Sequence, residues 1–265
     1  MRTLPSTRSH DVNQKAHSQV VQTQFGEQAN AYLNSAVHAQ GSEFAALQAA
    51  VAGRADARLL DLGCGAGHVA FHVAPAVAEV VAYDLSQDML DVVANAARER
   101  GLGNIRTECG AAEHLPFADA RFDFVFSRYS AHHWSDLGQA LREVRRVLKP
   151  GGVAAFVDVA APGLPLFDTH LQTVEVLRDS SHVRDYSPSE WTRQLGEAGL
   201  VVTACSRQRL RLEYSSWVER MRTPDVFRAA IRAMQQAVGD EVREYFEIAD
   251  DGSFSTDVLL VWAER

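Results

Sequence analysis

Apolar positions along the chain recur in two alternating rhythms. Arg58 to Leu62 is a short apolar run ending in glycines, Gly67 to Ala76 has a helical period, and Glu79 to Asp84 (EVVAYD) is again a short run. Ser86 to Arg100 follows as a helix with Ser86 at its N-cap. The alternation continues with strands over Asn104 to Cys109 and Phe122 to Ser127, and an amphipathic helix over Asp136 to Leu148. Lys149-Pro150-Gly151-Gly152 stops that helix, and Val153 to Val159 is a fifth strand. Strand and helix in strict turn predict an α/β protein built on a doubly wound parallel sheet with helices on both faces.

The flanks are less regular. Residues 1–20 predict a flexible tail, and Phe25 to Ala50 a helical stretch with breaks at Asn34-Ser35 and Gly41-Ser42. After Pro162 the rhythm loosens, then Pro188 to Gly199 reads as a helix, and Leu200 to Leu212 and Thr256 to Ala263 as strands. About 40 residues separate those strands and carry helical patterns at Ser216 to Arg222 and Asp225 to Phe246. A connection of that length is usually functional, so a helical insertion over about residues 215–248 is expected to cap a substrate. Residues 21–265 are expected to form a single domain.

Composition narrows the function. The 265 residues carry a net charge of −8, and 46% are hydrophobic, enough for a real core. No Lys/Arg cluster longer than a dipeptide appears, which disfavours a nucleic-acid partner and leaves small molecules as the default. Cys64, Cys109 and Cys205 are far apart without C-x-x-C spacing, so neither a disulfide framework nor zinc is indicated, and a reducing, cytoplasmic setting is expected. His68 and His72 share one helix face, but no third ligand is evident and no metal is expected. No run of 18 apolar residues suggests a membrane span.

Candidate chemistry concentrates in Leu59-Leu60-Asp61-Leu62-Gly63-Cys64-Gly65-Ala66-Gly67-His68. A strand that runs through alternating glycines into a helix lets backbone approach a nucleotide-like ligand closely. The dinucleotide fingerprint wants a small residue where this chain has His68, which weakens a nicotinamide reading. Asp84, at the end of the second strand, stands where a carboxylate can accept both hydroxyls of a ribose.

These residues resemble class I S-adenosylmethionine-dependent methyltransferases, in particular the UbiE-like branch. Gly110 to Phe117 (GAAEHLPF) is similar to the adenine-contacting loop, Phe122 to Ser127 to the fourth strand, Ala131 to Trp134 (AHHW) to the loop after it, and Leu141 to Gly152 (LREVRRVLKPGG) to the helix and turn before strand five. The resemblance implies a seven-stranded, mostly parallel Rossmann-like sheet whose last strand is antiparallel. It also implies cofactor-closing helices over 21–50, a cofactor-binding core over 57–160 and a substrate-side half over 161–265.

By that resemblance the cofactor is S-adenosylmethionine, with S-adenosylhomocysteine as product and no metal. Its expected contacts are Phe25, Tyr32, Asp61, Gly63, Cys64, Gly65, Gly67, Asp84, Leu85, Met89, Ala111, Ala112, Glu113, Ser127 and Arg128. Relatives often carry Asp where this chain has Ala111, so adenine recognition would fall to the backbone of Ala112 and Glu113. His132 and His133 follow strand four at the sheet edge where ligands bind, and either is a candidate general base toward a phenol, an enol or quinol carbon, or an amine. Tyr129, His170, Tyr186, Tyr214 and Arg222 are candidate substrate contacts by location. A small-molecule acceptor is expected, a homodimer is left open, and two other readings stand beside methyl transfer. One is a non-catalytic cofactor-binding or regulatory protein of the same fold; the other is a nicotinamide-dependent oxidoreductase.

Overall fold

A computed structural model of the chain describes residues 16–26 and 41–265. Its strands are β1 (Arg58–Leu62), β2 (Glu79–Asp84), β3 (Ile105–Cys109), β4 (Phe122–Arg128), β5 (Leu148–Ala160), β6 (Val201–Leu212) and β7 (Phe254–Glu264). They form one sheet in the order β3-β2-β1-β4-β5-β7-β6, with β7 antiparallel to both neighbours and the pairings among β1 to β5 parallel. This is the expected Rossmann-like arrangement.

Alternation within each strand divides the core between two layers. Leu60 and Leu62 of β1 point to a cluster that includes Phe156, helix α5 (Leu137–Val147) and helix α7 (Pro188–Glu197). Leu59 points to the opposite layer, where Phe124 and Phe126 meet helices α2 (Glu43–Val51), α3 (His68–Val73) and α4 (Gln87–Glu99). A side-chain period of two within the strand does this sorting. The helix starts follow local chemistry as well: Ser86 accepts the Met89 amide, Asp136 accepts the Gln139 amide at 2.8 Å, and Ser187 with Glu190 forms a capping box.

Four departures from the sequence reading matter. Helix α1 (His17–Gly26) begins inside the stretch expected to be tail. Residues 165–178, where no element was expected, form helix α6 (Pro165–Arg178), with proline in its first turn. Strand β5 runs through the Pro-Gly-Gly stop, because Gly151 N–H donates to Arg265 O and Arg265 N–H to Gly152 O at the far end of β7. The insertion between β6 and β7 breaks into α8 (Tyr214–Arg220), α9 (Asp225–Ala237) and α10 (Asp240–Tyr245). Together with α6 these helices share a third apolar cluster centred on Leu171, Trp217, Ile231 and Phe246.

Candidate active site

The glycine loop leaves β1 and is lashed at once to β2: the Gly63 and Cys64 amides both donate to Tyr83 O, at 2.8 and 3.0 Å. Gly63 has φ +67°, and a Cβ there would lie 1.9 Å from Ser130 Oγ, so only glycine lets the loop pass beneath the residues after β4. Gly65 has nothing within 4 Å of its Cβ position, so its backbone borders open space. Gly67 packs against Val93 and Phe71 instead and serves helix contact.

Two carboxylates bracket this loop. Asp84 accepts the Gly65 amide at 2.8 Å through one oxygen and the Ser86 amide at 2.9 Å through the other, tying the loop to the start of α4. Buried Asp61 accepts the Ala70 amide at 2.9 Å. Burial, reinforced by the negative charge of Asp84, pushes the Asp61 carboxyl up to about 7 despite that amide and Arg128. A group poised there changes charge on meeting a cation.

The loop after β3 closes a second side. Gly110 N–H donates to Asp84 O, and Tyr83 OH donates to the carbonyls of Ala111 and His114. Glu113, on the same loop, accepts from Ser135 N, Ser135 Oγ and Asp136 N, so its carboxylate braces the wall. Helix α1 lies across the top. His17 Nε2 donates to His133 O, Gln22 to Leu85 O and Gln24 to Met221 O.

These segments enclose a cleft of about 1140 Å³. Of the expected cofactor residues it is lined by Phe25, Asp61, Gly63, Cys64, Gly65, Asp84, Leu85, Met89, Ala111, Ala112, Glu113 and Arg128. Gly67 and Ser127 fall outside the lining: Gly67 opens α3, and the Ser127 side chain is buried in the sheet. Tyr32 lies outside the described residues. Arg128 is held by Glu43, 2.7 Å away in a pair almost wholly removed from solvent, and its guanidinium lies over the rings of Phe44 and Tyr129. His17, Ser18 and Val21 of α1, with Ser130 and Trp134, complete the walls. The predicted tail, residues 1–20, concealed His17 and Ser18.

A second cavity, of about 620 Å³, adjoins the first. The two share Phe25, Tyr129 and His133. Tyr129 sits at φ +51°, a left-handed conformation costly for an aromatic residue, held by its amide's bond to Val157 O. Within the second cavity the adjacent histidines part company. His132 Nδ1 lies 2.6 Å from Asp158 Oδ1, and although burial opposes its charge, the Asp158 carboxylate lifts it to about 9. His133 Nδ1 lies 3.1 Å from Ser181 O, which can only accept, so the neutral ring carries its proton on Nδ1, while Nε2 lies 3.9 Å from Asp179 Oδ2. Burial, then the charge of His132, pushes His133 down to about 4.

Four candidate substrate residues lie outside both linings. His170 packs on Phe246, Tyr186 on Trp191, the Tyr214 hydroxyl donates to Arg228 O, and Arg222 closes the turn after α8. In their place stand Glu175, Arg178 and Asp179 from α6 and the turn after it, Asp185, and Trp217 with Arg220 from α8. Nothing local in sequence marks these positions; only packing of the late helices against β5 and β6 brings them together.

Residues 60–156 match a family model described as a methyltransferase domain. The uncharacterised YafE protein of Escherichia coli K12 is 54% identical over 203 residues, covering 77% of this chain and 98% of its own. The crystal structure of YcgJ from Bacillus subtilis superposes with a TM-score of 0.80 at 36% identity, over 84% of this chain and 97% of that one. A putative methyltransferase from Bacillus halodurans superposes with a TM-score of 0.81 at 32% identity, covering 84% and 99%. No helix among the described residues is long and apolar enough to cross a membrane. The chain belongs to the methyltransferase domain family as an S-adenosylmethionine-dependent methyltransferase.

Proposed function

We propose that the chain methylates a small acceptor, a phenol, an enol or quinol carbon, or an amine, bound in the second cavity. The observation that carries this reading is the seam: a cleft bordered by the glycine loop and Asp84 opens onto a separate cavity at Phe25, Tyr129 and His133. When bound, S-adenosylmethionine supplies an electrophilic methyl group. Gly65, Asp84 and Leu85 would hold its nucleoside part, and Asp61 would face its cationic methionine end through the glycine loop.

What the chain's own residues do follows from their placement. Phe25 and Tyr129 present aromatic faces at the seam, suited to a sulfonium without binding it so tightly that transfer is opposed. His133, neutral at physiological pH with its proton on Nδ1, is the proton acceptor for a hydroxyl or ammonium at the seam. Helix α1 excludes water by bridging His133, Leu85 and Met221. The test is mass-spectrometric detection of a product one methylene heavier, formed with S-adenosylhomocysteine, from a panel of phenols, quinols and amines. His133→Ala is expected to lower turnover roughly 10²-fold. Undiminished turnover would remove His133 as the base. Binding of S-adenosylhomocysteine with no product from any class would favour a non-catalytic binding protein.

A further inference from the structure

Deep in the second cavity three elements converge: the turn after β4 brings His132, the end of β5 brings Asp158, and the segment between α6 and α7 brings Asp185. One donor atom from each lies within 4.8 Å of the other two. A central ion would then sit within about 2.8 Å of all three, and the side chains would close by about 0.6–0.8 Å to reach the roughly 2.0–2.2 Å of transition-metal bonds to oxygen and nitrogen. All three side chains are largely or wholly buried.

Asp185 is the telling member. Gln172 pins its backbone at both ends, accepting from Asp185 N at 3.1 Å and donating to Asp185 O at 2.8 Å. Its side chain is only 2% exposed, yet Oδ2 has no hydrogen-bond partner; His182 Nε2 is 4.0 Å away, beyond bonding reach. A carboxylate fixed in that state is costly unless something else engages it. Asp158 shows the contrast, because it accepts from His132 N, from Val159 N and at His132 Nδ1, and so orients the imidazole.

Charge points the same way. Glu175, Asp179 and Asp185 line the cavity with Asp158 beside His132, against the two guanidiniums of Arg178 and Arg220. Among the described residues of the cavity, carboxylates thus outnumber guanidiniums. We propose that His132, Asp158 and Asp185 bind a divalent metal ion in the second cavity, its remaining positions left for water or acceptor oxygens. Imidazole with two carboxylates is a donor set for manganese, iron or zinc. Such an ion binds an acceptor oxygen and lowers its affinity for a proton. The expectation of a metal-free protein rested on the absence of a sequence motif; these ligands are far apart in the chain and leave none.

The test uses the chelator-treated full chain and Mn²⁺ as the probe, read by electron paramagnetic resonance, so its outcome is independent of whether methyl transfer has been found. One Mn²⁺ per chain is expected, with affinity falling at least about tenfold in Asp185→Asn and in His132→Gln. Calorimetric binding of S-adenosylhomocysteine to both variants reports that they are folded, since neither residue lines the first cleft. No bound Mn²⁺ at about 1 mM free metal, or equal affinity in wild type and both folded variants, overturns the proposal.

Discussion

With Asp61 facing the cofactor as proposed, binding should depend on pH in a calculable way. Its carboxyl titrates near 7 in the empty cleft because burial and Asp84 outweigh the Ala70 amide and Arg128. A ligand whose amino-acid ammonium faces Asp61, a group that S-adenosylhomocysteine retains, favours the ionised form, so binding must expel a proton wherever the empty protein holds one. At pH 6 about nine-tenths of Asp61 is protonated and at pH 8 about one-tenth, so affinity should rise roughly tenfold between them, ~1.4 kcal/mol. The sign for stability is opposite. A carboxyl raised in the folded state stabilises fully below its unfolded value near 4, and that contribution is lost as pH rises through about 7, amounting to about 4 kcal/mol by pH 8. Calorimetry with S-adenosylhomocysteine at pH 6, 7 and 8, in two buffers of different ionisation enthalpy, reads both affinity and protons released. Asp61→Asn keeps an acceptor for the Ala70 amide and is the control, because any pH dependence it retains belongs to the ligand. If wild type and Asp61→Asn share one pH profile, Asp61 does not titrate in this range and its assigned environment is wrong.

Asp84→Ala should weaken S-adenosylhomocysteine binding by roughly 1.5–3 kcal/mol, the scale for hydrogen bonds to a charged group, and unchanged calorimetric affinity would remove Asp84 from the ribose. Gly63→Ala forces a Cβ onto Ser130 Oγ at a positive φ, so a loss of about 1–3 kcal/mol in denaturant unfolding is expected. Adding Ser130→Ala should recover only part of it, because Ser130 Cβ, 2.6 Å from the new Cβ, and the φ cost both remain; full recovery would place the whole cost in the hydroxyl contact. Glu43→Gln removes the carboxylate paired with the buried Arg128 guanidinium and should cost up to about 3–5 kcal/mol, read as a fall in melting temperature that an exposed pair would not show.

The cofactor side was legible because it is contiguous: Asp61 to Gly67 and Asp84 fall at the ends of two adjacent strands, and a strand-loop-helix pattern needs no distant contact to be recognised. What sequence left open was how the parts are used. Asp84 takes the amides of Gly65 and Ser86, and Glu113, a candidate adenine contact, braces Ser135 and Asp136. The acceptor side was illegible for a different reason. Helix α6 follows Pro162-Gly163 with its buried positions Leu171 and Val174 among polar neighbours, and its burial comes from α8, α9 and α10, more than 35 residues away. Asp185 and Trp217 meet only through that packing.

His132 and His133 show why sequence adjacency could not divide their roles. As consecutive residues they share a loop, and from sequence either could be a base. In the fold their rings turn to different partners, one to the Asp158 carboxylate and the other to the Ser181 carbonyl. A carboxylate stabilises the imidazolium, whereas a carbonyl fixes only the tautomer, so burial decides the second case and the charge of the first drives it further down. Two like groups whose environments push them apart, to about 9 and about 4, cannot serve the same step at neutral pH. The ring that stays neutral is also the one bordering both cavities, which is why His133 is the one proposed as proton acceptor at the seam. His132, held by Asp158 and absent from the lining of the first cleft, does not take that part.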